Sequence, residues 1–129
     1  GAVAEWMFKT IGGIDLLAPG FEKILIAPQP GGQIHTASTR YDSIRGTVAT
    51  EWTLEGSTLA LRVVVPANTT AVLRVPAARP ADVTEGGQPA SEATGVRFLR
   101  AADGVVEYEI GSGTYEFKST SAQAIEMAG

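Results

Sequence analysis

Two pairs of glutamates are the residues of this chain best suited to acid–base chemistry: Glu51 with Glu55, and Glu107 with Glu109. A pair of carboxylates can share the work of a general acid and a general base when their environments push their pKa values apart. Here each pair stands on the polar parity of an alternating run, where side chains are normally solvated. The solvated reading therefore outweighs the catalytic one, and no catalytic residue is assigned. Glu5 pairs in sequence with Lys9 and reads as a surface carboxylate. His35 is the single histidine. It has no Asp or Glu close in sequence, so it cannot build a metal cluster, and a strand histidine is its plain reading. Asp42, Asp82 and Asp103 are scattered through turns with no Asp-x-Asp spacing, although calcium needs several oxygens converging on one point. No metal site and no cofactor are assigned. Asn68-Thr69-Thr70 has the form of a glycosylation acceptor, but Asn68 reads better as a turn residue. There is no nucleophile elbow, no phosphate loop and no basic patch.

The elements that must position these residues are strands. The stretch from Phe21 to Trp52 organises the chain. Its first β-rich run, Glu22 to Ala27, is broken by Pro28, Pro30, Gly31 and Gly32, which force a loop. A second run spans Ile34 to Tyr41. From Gly46 to Glu55, Val48, Thr50, Trp52 and Leu54 share one parity and Thr47, Ala49, Glu51, Thr53 and Glu55 the other. That is a half-buried strand with Trp52 as its core anchor.

Downstream the pattern repeats. Glu55-Gly56-Ser57 reads as a tight hairpin, and Leu59, Leu61, Val63 and Val65 face inward. Ala71, Leu73 and Val75 face inward after the Asn68 turn. Val83 centres a short strand, and Gln88 to Thr94 is a polar loop. Asp103-Gly104 is the strongest hairpin signal, because a type I′ turn needs positive φ at both central positions. Val106, Tyr108 and Ile110 alternate with Glu107 and Glu109, and Tyr115 and Phe117 flank Glu116. Eight or nine short strands with turns about every 8–12 residues predict a sandwich or barrel. The opening differs. Val3, Met7, Ile11 and Ile14 recur at helical spacing before Gly12-Gly13, predicting a helix over residues 1–14. Nothing ahead of Gly1 caps it, so the helix is expected to begin upstream in a longer polypeptide. Residues 119–129, rich in Ser, Thr and Ala, read as a loosely held tail.

The chain of 129 residues suits one domain. Its net charge of -4 argues against nucleic acid and anionic membrane as partners, and no apolar run approaches the ~20 residues of a membrane span. The absence of cysteine fits either a reducing or an oxidising compartment.

Several pieces carry a resemblance. Lys23-Ile24-Leu25-Ile26, Pro28 to Gly32, Tyr41-Asp42-Ser43 ahead of Gly46, and Glu51-Trp52 resemble the C-terminal domain of bacterial α-L-rhamnosidases of glycoside hydrolase family 78. Val65 to Ala71 and Gly111 to Phe117 match later motifs in the same order, and Gly1 to Phe8 resembles the helix that leads into that domain. Ala27, Ile44 and Arg45 depart from the family's usual residues. The resemblance implies an all-β fold: an antiparallel, jelly-roll-like β-sandwich over 15–118, preceded by one N-terminal α-helix (1–14) from the end of an upstream catalytic (α/α)6 barrel. It implies that the whole enzyme removes terminal L-rhamnose with inversion, and that its acid and base lie upstream. The barrel of the same polypeptide would be the partner, with Trp6 and Phe8 as contacts to it. His35 would reach toward a sugar hydroxyl. A rhamnose-containing carbohydrate is the other implied partner. The competing readings are a carbohydrate-binding module, which would show an exposed aromatic cluster on one sheet face, and an independent enzyme, which would need convergent acid and base groups.

Overall fold

A computed structural model describes residues 3–12, 22–30, 36–43 and 45–122. Eleven strands follow in order: β1 (Val3–Gly12), β2 (Glu22–Pro30), β3 (Thr36–Ser43), β4 (Gly46–Glu55), β5 (Thr58–Val65), β6 (Thr69–Pro76), β7 (Val83–Glu85), β8 (Gln88–Pro89), β9 (Val96–Ala102), β10 (Val105–Ile110) and β11 (Gly113–Ser119). Two single 3-10 turns, Pro80–Asp82 and Ala90–Glu92, flank the short β7–β8 hairpin. Sheet A runs β1-β2-β6-β10-β9 and sheet B runs β3-β4-β5-β11-β7-β8. Their inner faces meet in one core that holds Ile24, Trp52, Leu61, Leu73, Tyr108 and Phe117. The two-layer β-sandwich follows from the alternation. On β4 every second residue from Val48 to Leu54 is buried, and β11 buries Tyr115, Phe117 and Ser119.

The N-terminal helix is not there. Residues 3–12 form β1, which pairs antiparallel with β2, setting Trp6 against Pro28 and Phe8 against Ile26. Among the described residues there is no α-helix. The reason is physical. A helix shorter than about 12–15 residues is marginal by itself, because its nucleus is costly. The same residues carry a second period, two, in Trp6 and Phe8, and they include the β-formers Val3, Thr10 and Ile11. Beside them β2 supplies a ladder partner and the core supplies a slot in which Trp6 is only 3% exposed. β1 is a strand of sheet A.

The sandwich is also not antiparallel throughout, because β2 runs parallel to β6, with Ile24 opposite Ala71 and Ile26 opposite Leu73. No tight turn joins these two strands, so nothing local imposes antiparallel pairing. Both read as nearly continuous apolar runs, and Leu25 and Val72 are buried as well as their inward neighbours.

Two turns behave as their residues require. Asp103 and Gly104 take φ of 54° and 78°, and Asn68 takes 56° in the turn between β5 and β6. The start of the expected tail is packed rather than loose. The Ser119 hydroxyl donates to the Pro76 carbonyl at 2.6 Å, the Ser121 hydroxyl donates to Asp82 at 2.8 Å, and the Ala122 amide donates to Ser57 at 2.8 Å. Residues 123–129 lie outside the described residues.

Candidate functional site

The outward-facing residues of the two sheets make two surfaces of different chemistry. On sheet A, β10 presents Glu107 and Glu109 between β6 and β9. Glu109 holds Lys23 with one oxygen at 3.1 Å and Arg97 with the other at 2.9 Å. Glu107 accepts a hydrogen bond from Arg74 Nε at 3.1 Å, with Arg100 at 3.8 Å. Burial pushes the Glu109 carboxyl up, but the hydrogen bonds and charges of Lys23 and Arg97 together outweigh it and hold it below the ordinary carboxylate value. A group held ionised in this way is unsuited to protonate a leaving group. Beside these pairs lies a small apolar cluster of Leu25, Ala27 and Val72, with Met7 and Leu99 packed against it.

Sheet B is arranged otherwise. Strand register places Ser38 opposite Glu51, Glu51 opposite Arg62, and Arg62 opposite Glu116, so one row crosses four strands. The next row runs Thr53, Ala60, Lys118 and Thr84. Glu51, Arg62 and Glu116 are all exposed. Their side chains make no ion pair or hydrogen bond among the described residues. Over these rows lies an open groove of about 790 Å³, whose lining also takes in Gly86 and Gly87. A smaller hollow of about 290 Å³ shares Glu51 and Arg62 and extends toward Arg40 and Thr47.

Glu51 and Glu55 share the exposed face of β4, while Glu107 and Glu109 occupy the ion-paired face of β10. The two pairs do not converge, since they belong to the outer faces of opposite sheets. Trp6 is taken up by the domain's own core. Phe8 is half-buried and stacks on Tyr41, ring centroids 5.9 Å apart and planes 2° off parallel, where β1 meets β3. The Tyr41 hydroxyl lies 3.2 Å from Thr10 Oγ1. His35 lies outside the described residues. Among the described residues no three His, Cys, Asp or Glu side chains gather as metal ligands. Asp42 instead accepts a hydrogen bond from Thr47, and Asp82 pairs with Arg79. The row through Arg62 was missed. Alternation marks its members as outward, but their adjacency depends on the β4–β5–β11 register.

A family model described as the bacterial alpha-L-rhamnosidase C-terminal domain matches residues 13–90. The chain belongs to this family. An alpha-L-rhamnosidase of Streptomyces avermitilis is 36% identical over 117 residues, which are 91% of this chain and 11% of the relative. One of Formosa agariphila is 32% identical over 92% of this chain and 13% of the relative. The chain thus spans little more than a tenth of these α-L-rhamnosidases. The crystal structure of the Streptomyces avermitilis enzyme complexed with L-rhamnose superposes with a TM-score of 0.64 over 78% of this chain and 9% of that one. A Flavobacterium johnsoniae GH31 dextranase shares the sandwich fold at 13% identity, with a TM-score of 0.63 over 91% of this chain and 19% of that one.

Proposed function

We propose that this C-terminal domain is non-catalytic, that it packs against and stabilises the catalytic barrel of a longer α-L-rhamnosidase, and that the whole enzyme hydrolyses terminal α-L-rhamnosides with inversion. The observation that carries the non-catalytic role is the state of the two glutamate pairs. Glu107 and Glu109 are tied to four cations, and Glu51 and Glu55 stand on the exposed face of the opposite sheet. Inversion needs an acid and a base about 6.5–9.5 Å apart across the sugar, the acid with a raised pKa. The family and the small share of the relatives that this chain covers support a catalytic domain elsewhere in the same polypeptide. Of the two aromatics expected to meet that domain, Phe8 is the one still partly exposed, and the proposed contact falls to it and Tyr41. A sugar contact from His35 belongs to the same proposal, on its place just past Pro28–Gly32 in sequence.

The test is to assay the purified chain and a longer polypeptide that includes it on a chromogenic α-L-rhamnoside, reading the anomer of the released sugar. The longer polypeptide should turn over and release the inverted anomer, and the 129-residue chain should not. Turnover by the chain, lost on changing one of its own carboxylates, would refute the non-catalytic role. In the longer polypeptide, His35→Ala should raise KM if His35 touches sugar, and an unchanged KM would remove that contact. The second reading, a domain that also holds saccharide, draws on the open groove of sheet B.

A further inference from the structure

We propose that the outer face of sheet B is a binding groove for a neutral oligosaccharide, held side-on by Glu51, Arg62 and Glu116 without aromatic stacking. The proposal rests on the reading of this chain as part of a glycosidase only for the choice of ligand. The site itself rests on four observations.

The first is shape. The groove's volume of about 790 Å³ lies within the ~300–1,000 Å³ of small-molecule sites. The adjoining 290 Å³ hollow shares Glu51 and Arg62 with it, so the two charges stand where the two depressions adjoin.

The second is hydrogen-bonding capacity. A carboxylate can accept from two neighbouring hydroxyls, and a guanidinium offers five donors in a planar fork. Ser38, Thr53 and Thr84 add hydroxyls to the lining. This is the donor and acceptor mixture that a polyol presents in return.

The third is availability. Glu51, Arg62 and Glu116 are opposite one another in register, yet none of their side-chain charges is engaged by another side chain among the described residues. A ligand can meet them without first breaking an ion pair. On sheet A each carboxylate would have to release its Arg or Lys partners first.

The fourth is charge balance. The main groove holds two carboxylates, Glu51 and Glu116, and two cations, Arg62 and Lys118. Arg40 stands apart in the adjoining hollow, so within the main groove the signs alternate with no excess, which suits an uncharged ligand better than an anionic or a cationic one. No aromatic side chain shares the outward parity of β4, β5 or β11, so grip comes from charge-assisted hydrogen bonds rather than ring stacking.

The experiment is an NMR titration of the ¹⁵N-labelled chain with a linear, neutral rhamnan tetrasaccharide, with methyl α-L-rhamnoside, and with tetragalacturonate as the acidic control. The tetrasaccharide should shift backbone signals of β4, β5 and β11 more than the monosaccharide, and raising the salt should leave its affinity nearly unchanged, as for an uncharged ligand. Glu51→Gln and Arg62→Gln should each weaken binding about tenfold, the loss of a charged hydrogen bond. Arg100→Gln, on the opposite face, should change it less than about twofold. Both groove residues are exposed, so circular dichroism of the variants should match that of the parent chain. No shift in the groove at about 10 mM tetrasaccharide would overturn the proposal. So would tighter binding of the acidic control, or affinity untouched by both groove variants. If Arg62→Glu instead released the domain from the rest of the longer enzyme, the groove would be a docking seat and the proposal would fall. None of these failures bears on the non-catalytic role, which stands or falls on rhamnoside turnover, and turnover by the chain would leave a groove titration intact.

Discussion

The two outer faces of this sandwich are built from the same residue types and arrive at opposite electrostatic states. On sheet A, Glu107 and Glu109 each sit between two cations, and all four cations are engaged. On sheet B, Arg62 sits between two carboxylates, and none of the three side chains is engaged among the described residues. In the first arrangement one anion gathers two long flexible cations, each able to reach inward to it. In the second a single guanidinium stands between two glutamates over an open groove. The difference teaches that outward parity alone does not distinguish a self-satisfied surface from a receptive one. The pairing pattern does.

The largest expected effect lies beneath the receptive face. Trp52, between Glu51 and Thr53 on β4, is 2% exposed and faces Leu61 across the ladder. Trp52→Ala should cost about 3–5 kcal/mol in denaturant melts, the usual range for a truncated buried aromatic. It should also erase groove behaviour, because the sheet that carries the row loses its anchor. A loss under about 1 kcal/mol would mean that the row stands on a surface independent of the core.

Beneath the paired face lies Tyr108, between Glu107 and Glu109, with its hydroxyl pushed from 10.0 up to about 12 by burial. The folded pKa exceeds the unfolded one, so the neutral phenol's stabilisation is complete below about pH 10 and is lost as pH rises toward 12. Melts across that window should lose about 2–3 kcal/mol, two pKa units' worth. Tyr108→Phe, which cannot ionise, should flatten this alkaline limb. An unchanged limb in Tyr108→Phe would assign the loss to another group, for example Tyr115, which burial also raises.

On the paired face itself, Glu109→Gln should cost about 1 kcal/mol, since Lys23 is half-exposed, Arg97 is exposed and solvent screens both pairs. The folded Glu109 carboxyl sits below its ordinary 4.5, so its contribution is complete above about pH 4.5 and fades as pH falls through the lower folded value. The variant should therefore lose less stability than the parent on acidification. The smallest effect belongs to the receptive face. Arg62→Gln should change stability by less than about 0.5 kcal/mol, as at most surface positions free of a network. If Glu109→Gln and Arg62→Gln cost the same, the contrast between the faces has no energetic content.

Much of the sandwich was legible in the sequence. Period-two alternation is a local property, so β4, β5, β10 and β11 and their buried sets follow from the residues themselves, as do the turns at Asn68 and Asp103-Gly104. The motifs from Lys23 onward also carried the family, whose model matches residues 13–90. The opening segment was not legible, because Val3 to Gly12 holds a helical and a strand period at once, and a choice between them needs a partner. The open ladder of β2 and the core slot for Trp6 are that partner, and both come from residues elsewhere in the chain. The parallel pairing of β2 with β6 likewise joins strands that no tight turn connects. The same holds for the row through Arg62: the sequence determined that Glu51, Arg62 and Glu116 face outward, because parity is written residue by residue. The tight Gly56-Ser57 hairpin also fixes Glu51 opposite Arg62, but only the tertiary structure decided that Glu116 stands on the other side of Arg62, because no tight turn joins β5 to β11 and their register is set by how the strands close over a shared core.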